Sequence, residues 1–528
     1  MAEPRKVSRT ELDPVEFLRR AAYIYPLKTA VAHENGVCHT YAAFAERCWR
    51  LGSALRGRGL APGERVATLC PNSPTMLEAH FGIPAAQLIL VTVNTRLGSG
   101  EIDTILKHCG ARAVLVDAEL EHLLEPLDLA DVEIVRVDDS GLATDPYEVL
   151  LAEGSPDEPE RWLVDEEDTI SINYTSGTTG RPKGVQYSYR GAYLQALANA
   201  ISMRLGSDSA YLWTLPMFHC NGWCNPWAVT AVAARHVTVR GVDPAQMWDL
   251  IDSEGITHYG GAPTVQLSLI NNPAAHRIER GLTLMMGGAP PSPTLVARLA
   301  ELNIELVHIY GLTETYAPMT VTPIQEHWGD LPAGEQASLR ARQGQSHVAA
   351  DLVRVVDDEM NDIPLDGIAM GEVVMRGNIV MPGYWNDEEA TADAFRGGWF
   401  HSGDMAVWHE DGMIEIRDRS KDIIISGAEN ISTIEVEQTL AAHPAVLEAA
   451  VIAVPHDHWG ERPKAFVMLK DGAAADEAEL IAFCRDRIAH FKCPDAVEFG
   501  PLPKTSTGKV QKFVLREKEW AGRESRVN

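Results

Sequence analysis

Between about residues 60 and 310, short runs rich in β-branched residues alternate with helical patterns, and this alternation limits the fold more than any other feature of the chain. Arg65–Leu69, Leu88–Val93, Ala113–Val116, Thr169–Asn173, His236–Val239 and Glu305–Ile309 read as strands, while Pro244–Glu254 and Pro293–Leu302 look helical. Strands interleaved with helices pair in parallel, because the crossover that returns the chain to the same sheet edge is itself long enough to be a helix. An α/β fold on parallel sheets is expected.

The pattern changes downstream. From roughly 345 to 417 the strand-like pieces Leu352–Val356, Glu372–Arg376 and Met413–Ile416 are separated by Asp-Asp, Pro-Gly, Gly-Gly and Asp-Gly turn pairs, which suits a small antiparallel barrel or sheet. The charge-rich stretch Asp418-Arg419-Ser420-Lys421-Asp422 then precedes a self-contained tail with helices at Ile434–Ala442 and Glu477–Ile488 and strands at Leu447–Val454 and Ala465–Leu469. A chain of 528 residues exceeds the size of one growing core, so several domains are expected. They are a large N-terminal domain, residues 1–418, of parallel-sheet α/β subdomains plus a small β-barrel-like subdomain; a connector at 419–422; and a small α+β C-terminal domain at 423–528.

Charge narrows the partners. With 46 Lys and Arg against 74 Asp and Glu, the net charge of −28 disfavours nucleic acid and anionic membrane surfaces, both of which need clustered positive charge. Eight scattered cysteines do not make a small secreted disulfide framework, and the leading sequence has no apolar signal core. The apolar run around Ile83–Val93 is too short to cross a bilayer. A cytoplasmic protein is expected, with a homodimer as a candidate assembly.

Residues 174–185, Tyr-Thr-Ser-Gly-Thr-Thr-Gly-Arg-Pro-Lys-Gly-Val, form a hydroxyl-dense, glycine-rich loop after the strand-like Thr169–Asn173 and before a helical stretch from about Gly191. Gly177 and its neighbours let backbone N–H groups turn toward phosphate oxygens, Thr175, Ser176, Thr178 and Thr179 add donors, and Lys183 adds positive charge. The spacing is not that of a Walker A loop, so the implied nucleotide triphosphate, ATP, is held in some other way.

Four further segments carry polar groups at strand ends or in turns. Gly287-Gly288-Ala289-Pro290-Pro291 follows the apolar Leu282–Met286, and such a small-residue turn lets a flat adenine lie against backbone. Tyr310-Gly311-Leu312-Thr313-Glu314-Thr315 follows Glu305–Ile309, placing Thr313 for an α-phosphate and Glu314 for Mg²⁺, a hard cation that prefers oxygen ligands. Asp404, in Trp399-Phe400-His401-Ser402-Gly403-Asp404, can accept from two ribose hydroxyls, and Arg419 offers a fork of donors. Lys509 lies in a Gly-containing loop near the end of the chain.

Together these segments, in this order, resemble the adenylate-forming superfamily of acyl-CoA ligases over about residues 15–515, and Pro216-Met217-Phe218-His219-Cys220-Asn221-Gly222-Trp223 is similar to the branch of methylmercaptopropionate-CoA ligases and short- and medium-chain acyl-activating enzymes. The resemblance implies a carboxylic acid activated by Mg·ATP to acyl-AMP and then passed to coenzyme A. It casts Lys509 as the bridge between carboxylate and α-phosphate, Lys421 as the hinge of a mobile C-terminal domain, and Gly427 as a tunnel-lining glycine for pantetheine, with Ala428 where many relatives carry a second glycine. His219, Trp223, Thr264, Met286, Gly287 and Tyr310 would line the acyl pocket, with Tyr310, Gly311, Gly288, Ala289 and Pro290 beside the nucleotide.

No acidic residue lies in 216–223 to hold an ammonium, which disfavours free amino acids. Gly311, where acetate-specific relatives carry tryptophan, is expected to leave room beyond a methyl group, so 3-methylmercaptopropionate becomes a specific candidate. Three other readings stay open: a ligase that loads a carrier-protein phosphopantetheine, a luciferase-like oxygenase, and a non-catalytic nucleotide-binding regulator.

Overall fold

The computed structural model describes residues 7–520 apart from 164, 176–181, 420–421, 427–428, 457–458 and 505–509, and gives backbone alone at 429–430. Two large sheets dominate the N-terminal part. The first runs in the order Glu133–Val137, Ala111–Asp117, Arg65–Leu69, Ile89–Thr92, Thr169–Thr175 and Lys183–Ser188. Its first five strands are parallel and the last is antiparallel. The second places Ile304–Tyr310, Leu282–Met286, His258–Gly261, Ala210–Trp213, Arg235–Thr238 and Thr29–His33 side by side in parallel, with short antiparallel strands at both edges.

Side chains alternate across a strand, and the alternation sorts this core into layers. Val66, Leu90, Trp213 and Met285 share one large cluster between the sheets. Their chain neighbours face outward, Ala67 and Val91 under the helices of the first sheet, Leu212, Leu284 and Met286 under those of the second. Arg240 adds a polar tie, donating to both oxygens of buried Asp117 at 2.8 and 2.9 Å.

Of the antiparallel barrel or sheet expected after 345, the described strands make a sheet: Arg354–Val356, Met370–Met375, Phe400–Trp408 and Ile414–Arg419, in that order. The next sheet belongs to the C-terminal domain, whose first strand, Ile424–Ser426, follows Arg419 by a few residues. There Gly460–Leu469 pairs antiparallel with Val446–His456 and parallel with Ala496–Phe499.

The helical stretch expected from about Gly191 is present, and between it and the glycine-rich loop Lys183–Ser188 folds back against Thr169–Thr175, with Thr175 opposite Lys183. Val185 and Tyr187 are fully buried by that pairing, and the helix Tyr189–Ser202 starts only where the Ser188 hydroxyl accepts the Gly191 N–H at 3.0 Å. Among the described residues, no helix is long and apolar enough to cross a membrane.

Candidate functional site

The phosphate-loop residues 176–181 lie outside the described structure, but both ends of their hairpin are fixed. Thr175 and Lys183 sit opposite each other, and the Lys183 ammonium lies 4.7 Å from the centre of the Tyr384 ring. The Tyr384 hydroxyl donates to Glu314 Oε1 at 2.9 Å, so one aromatic residue joins the hairpin lysine to the expected metal carboxylate. Burial first, and the Glu314 charge second, push the Tyr384 hydroxyl far above its ordinary range and keep it a donor. Tyr384 carried no signal in the sequence beyond a Pro-Gly-Tyr turn.

The Thr313–Thr315 turn follows the strand Ile304–Tyr310 and is held from several sides. Tyr187 donates its hydroxyl to the Thr313 carbonyl at 2.8 Å, and the Met381 N–H reaches the Glu314 carbonyl at 2.8 Å. Tyr187 stacks on Tyr316 with ring centres 3.9 Å apart. Tyr310, Asp404 and Arg419 form a second chain: the Tyr310 hydroxyl donates to Asp404 Oδ2 at 2.6 Å, and Arg419 Nε lies 2.5 Å from Oδ1. Asp404 stands opposite Arg419 across the antiparallel pair, so sheet register sets their contact. Each carboxylate oxygen keeps a lone pair for a ligand hydroxyl.

Glu314 is a carboxylate that the site could offer a cation beside the hairpin, and no group of three His, Cys, Asp or Glu side chains that could hold a metal occurs among the described residues. One carboxylate fits Mg²⁺ that takes its remaining ligands from triphosphate oxygens and water.

The acyl side is built differently. After the Ala210–Trp213 strand the chain makes a left-handed turn over five consecutive residues, with φ of +47° at Cys220, +42° at Asn221, +52° at Gly222, +55° at Trp223 and +58° at Cys224. Gly222 escapes the steric penalty of about 1–2 kcal/mol per residue and Asn221 is eased by its side chain, and a Cβ on Gly222 would meet the Trp213 ring at 2.8 Å. Neighbouring groups must hold the rest. The Asn221 side chain is fully buried and enters the end of the first sheet, accepting the Ser171 hydroxyl at 2.8 Å and an Asn173 amide hydrogen. Its backbone N–H donates to Asn173 Oδ1 at 2.8 Å, and its Nδ2 lies 3.2 Å from His80 Nε2. Farther on, Asn199 Nδ2 donates to the Trp223 carbonyl at 2.6 Å.

This turn meets both sheets' ligand-facing ends. Cys220 Sγ lies 3.2 Å from the Thr313 hydroxyl, and the Trp223 indole lies against Gly260, 3.7 Å from where a Cβ would stand. His219 begins the turn, its N–H bonded to the Pro216 carbonyl at 3.1 Å. Thr264, half-buried, sits in the first turn of the helix Pro263–Ile270.

Three acyl-side expectations change. Met286 packs with Leu284 and Leu306 under the outer helices, whereas Met285 shares the inner core with Trp223, so Met286 cannot face Trp223 across a pocket. A Cβ on Gly287 would meet the Ile309 side chain at 2.8 Å, making that glycine a close-packing position, while the space above Gly288 is open and suits the adenine expected there. At Gly311 a Cβ would sit 1.5 Å from the Ala317 carbonyl oxygen. That direction leads into main chain, so Gly311 says nothing about room beyond a methyl group.

Ala289 and Pro290 close the turn expected to hold adenine, and Pro290 lines a cavity shared with Arg342 and with Glu435 and Gln438 of the C-terminal domain. That domain is tied to its neighbour through Asp418, whose Oδ2 accepts the Thr433 N–H at 2.6 Å and hydroxyl at 2.7 Å. Lys421, Gly427 and Lys509 lie outside the described residues. The loop that carries Lys509 is closed at its base by a bridge between Lys504 and Val510.

Sequence comparison places these features in a known context. The pattern of the AMP-binding enzyme family matches residues 18–385, and that of the AMP-binding enzyme C-terminal domain matches residues 435–509. An acetate–CoA ligase of Humulus lupulus is 42% identical over 541 residues, covering 96% of this chain and 95% of its own. A peroxisomal acetate/butyrate–CoA ligase of Arabidopsis thaliana is 40% identical over 539 residues, with 96% and 95% covered. Among solved structures, an anthranilate CoA ligase in complex with anthranoyl-AMP superposes with a TM-score of 0.87 at 27% identity, covering 98% of this chain and 99% of that one.

Proposed function

The chain belongs to the AMP-binding enzyme family as an ATP-dependent, AMP-forming carboxylic acid–CoA ligase, and from that premise we propose that it activates a short- to medium-chain or compact aryl or thioether acid. The observation that carries this reading is the turn 219–224, which brings an apolar wall, Trp223 on Gly260, beside Thr313. The relatives named for acetate and butyrate support short acids, and the likeness to a structure holding anthranoyl-AMP supports compact aryl ones. Acetate stays within the range, since Gly311 does not speak against it, and 3-methylmercaptopropionate stays a candidate.

In this account the hairpin 174–185 cradles the triphosphate, Lys183 and Glu314 flank it, and Asp404 and Arg419 hold the ribose. Mg²⁺, when bound, would neutralise phosphate charge beside Glu314. Thr313 and Lys509 bring the carboxylate and α-phosphate together, offsetting the repulsion between two anions in a water-poor site. The acyl group then passes to coenzyme A, with Lys421 as the pivot and Gly427 in the pantetheine path. Lys421→Pro is expected to spare adenylate formation and slow thioester formation.

A panel of acids scored by pyrophosphate release, with and without coenzyme A, tests the substrate class. Release with butyrate, 3-methylmercaptopropionate or a small aryl acid is expected. Release confined to long-chain or amino acids would refute the proposal. Supplying a phosphopantetheinylated carrier protein in place of coenzyme A separates the two thiol acceptors. A cytoplasmic location is also proposed, although several relatives are peroxisomal by name.

A further inference from the structure

We propose that Asn221 is a positioning residue for the carboxylic acid, setting acid affinity and acid selectivity through the shape of the left-handed turn while leaving nucleotide affinity alone; this rests on the acid–CoA ligase reading above.

Asn221 is fully buried and acts only through its neighbours. Its partners Ser171, Asn173 and His80 belong to the first sheet and the helix Pro74–Ala85, whereas the strand that feeds the turn belongs to the second sheet. The carboxamide therefore pins the turn across the junction between the two sheets. All its polar groups are matched in kind. Ser171 and Asn173 donate to Oδ1, and the amide nitrogen faces a histidine nitrogen that must accept, because His80 Nδ1 is turned to the Met76 carbonyl at 2.7 Å. Burial lowers the His80 pKa to about 4, so that acceptor persists at neutral pH.

The backbone supplies a second, independent argument. Asparagine tolerates the left-handed region better than most residues, but Cys220, Trp223 and Cys224 do not, and they hold φ near +50° beside two pinned points, Asn221 and the Asn199-bonded Trp223 carbonyl. Releasing the first point lets these residues relax toward ordinary conformations. Relaxation would carry Cys220 away from Thr313 and Trp223 off Gly260, moving the wall of the acid site. Asn221 meets the hairpin through Ser171 and Asn173 on the strand Thr169–Thr175, whose own ladder to Lys183–Ser188 would hold that strand, so the hairpin, Tyr384, Asp404 and Arg419 would stay in place.

The two roles of Asn221 separate by substitution. Asn221→Ala removes both the carboxamide and the tolerance for left-handed backbone, whereas Asn221→Gly removes only the carboxamide. In a pyrophosphate-release assay, Asn221→Ala is expected to raise KM for butyrate about tenfold and Asn221→Gly about threefold. KM for ATP should stay within twofold in both, and the ratio of kcat/KM for butyrate over hexanoate should shift about fivefold. If Asn221→Ala fails to fold, Ser171→Ala, which removes one donor from outside the turn, should show the same split at about twofold. KM for ATP rising in step with KM for the acid, or an unchanged acid KM and selectivity in the variants that fold, would overturn the role of Asn221. A wild-type protein that releases no pyrophosphate with any acid would instead overturn the ligase reading on which it rests.

Discussion

The two halves of the site hold their groups by opposite means. On the nucleotide side, ordinary backbone presents side chains whose tips are joined in short chains, Lys183 to Tyr384 to Glu314 and Tyr310 to Asp404 to Arg419. On the acid side the main chain itself is held in a disfavoured conformation by fully buried amides. In the proposed function the first arrangement serves chemistry common to every substrate. The second shapes a wall and can change without disturbing the first.

The contrast can be broken or sharpened by measurement. The largest effect is expected from Lys509→Ala, which should lower pyrophosphate release by about 10²–10³-fold for every acid tested, the scale of a lost electrostatic group in an active site. Loss for one acid alone would place Lys509 on the acid side.

Stability should show where the buried amides sit. Burial lowers His80 to about 4 and His236 to about 3, against an ordinary value near 6.5. Both are neutral when folded, so their contribution is complete above pH 6.5 and is lost as pH falls from there toward 4. For His80 this amounts to at most about 3 kcal/mol. Thermal unfolding followed between pH 7 and 4 should show that fall, with a shallower slope in His80→Gln; an unchanged slope would remove His80 from the account.

Tyr384→Phe keeps the ring under Lys183 and removes the hydroxyl from Glu314. A hydrogen bond to a charged group is worth about 1.5–3 kcal/mol, so KM for Mg·ATP should rise roughly tenfold while acid selectivity holds. A change in acid selectivity would blur the division between the halves. The smallest effect belongs to Met286→Leu, expected to alter acid selectivity by less than about twofold because that side chain packs under the outer helices. A larger shift would return Met286 to the pocket.

The groups proposed for the nucleotide half could be picked out in the sequence because their chemistry is written in residue type: hydroxyls and glycines in 174–185, a carboxylate after a strand, an Asp and an Arg. Strand spans such as Arg65–Leu69 and Thr169–Asn173 were legible because period and composition are local. The acid half was not. Leu282–Met286 is apolar at four of five positions, so its pattern cannot say whether Met285 or Met286 faces inward. The left-handed turn is hidden further still, because cysteine and tryptophan disfavour it and bonds from residues distant in sequence help to impose it. The Asn221-Gly222 pair, with Ser171 and Asn173 on one face of a buried strand, was the available hint. Tyr384 escaped notice because its partners, Lys183 and Glu314, are distant in sequence.

The central claim is that this site joins a carboxylate to an adenylate before a thiol takes it. Phosphorus NMR of a complete reaction with butyrate, Mg·ATP and coenzyme A tests it most directly. AMP and pyrophosphate should appear in equal amounts, matched by acyl-CoA and absent when the acid is withheld. ADP and inorganic phosphate in their place would contradict the account.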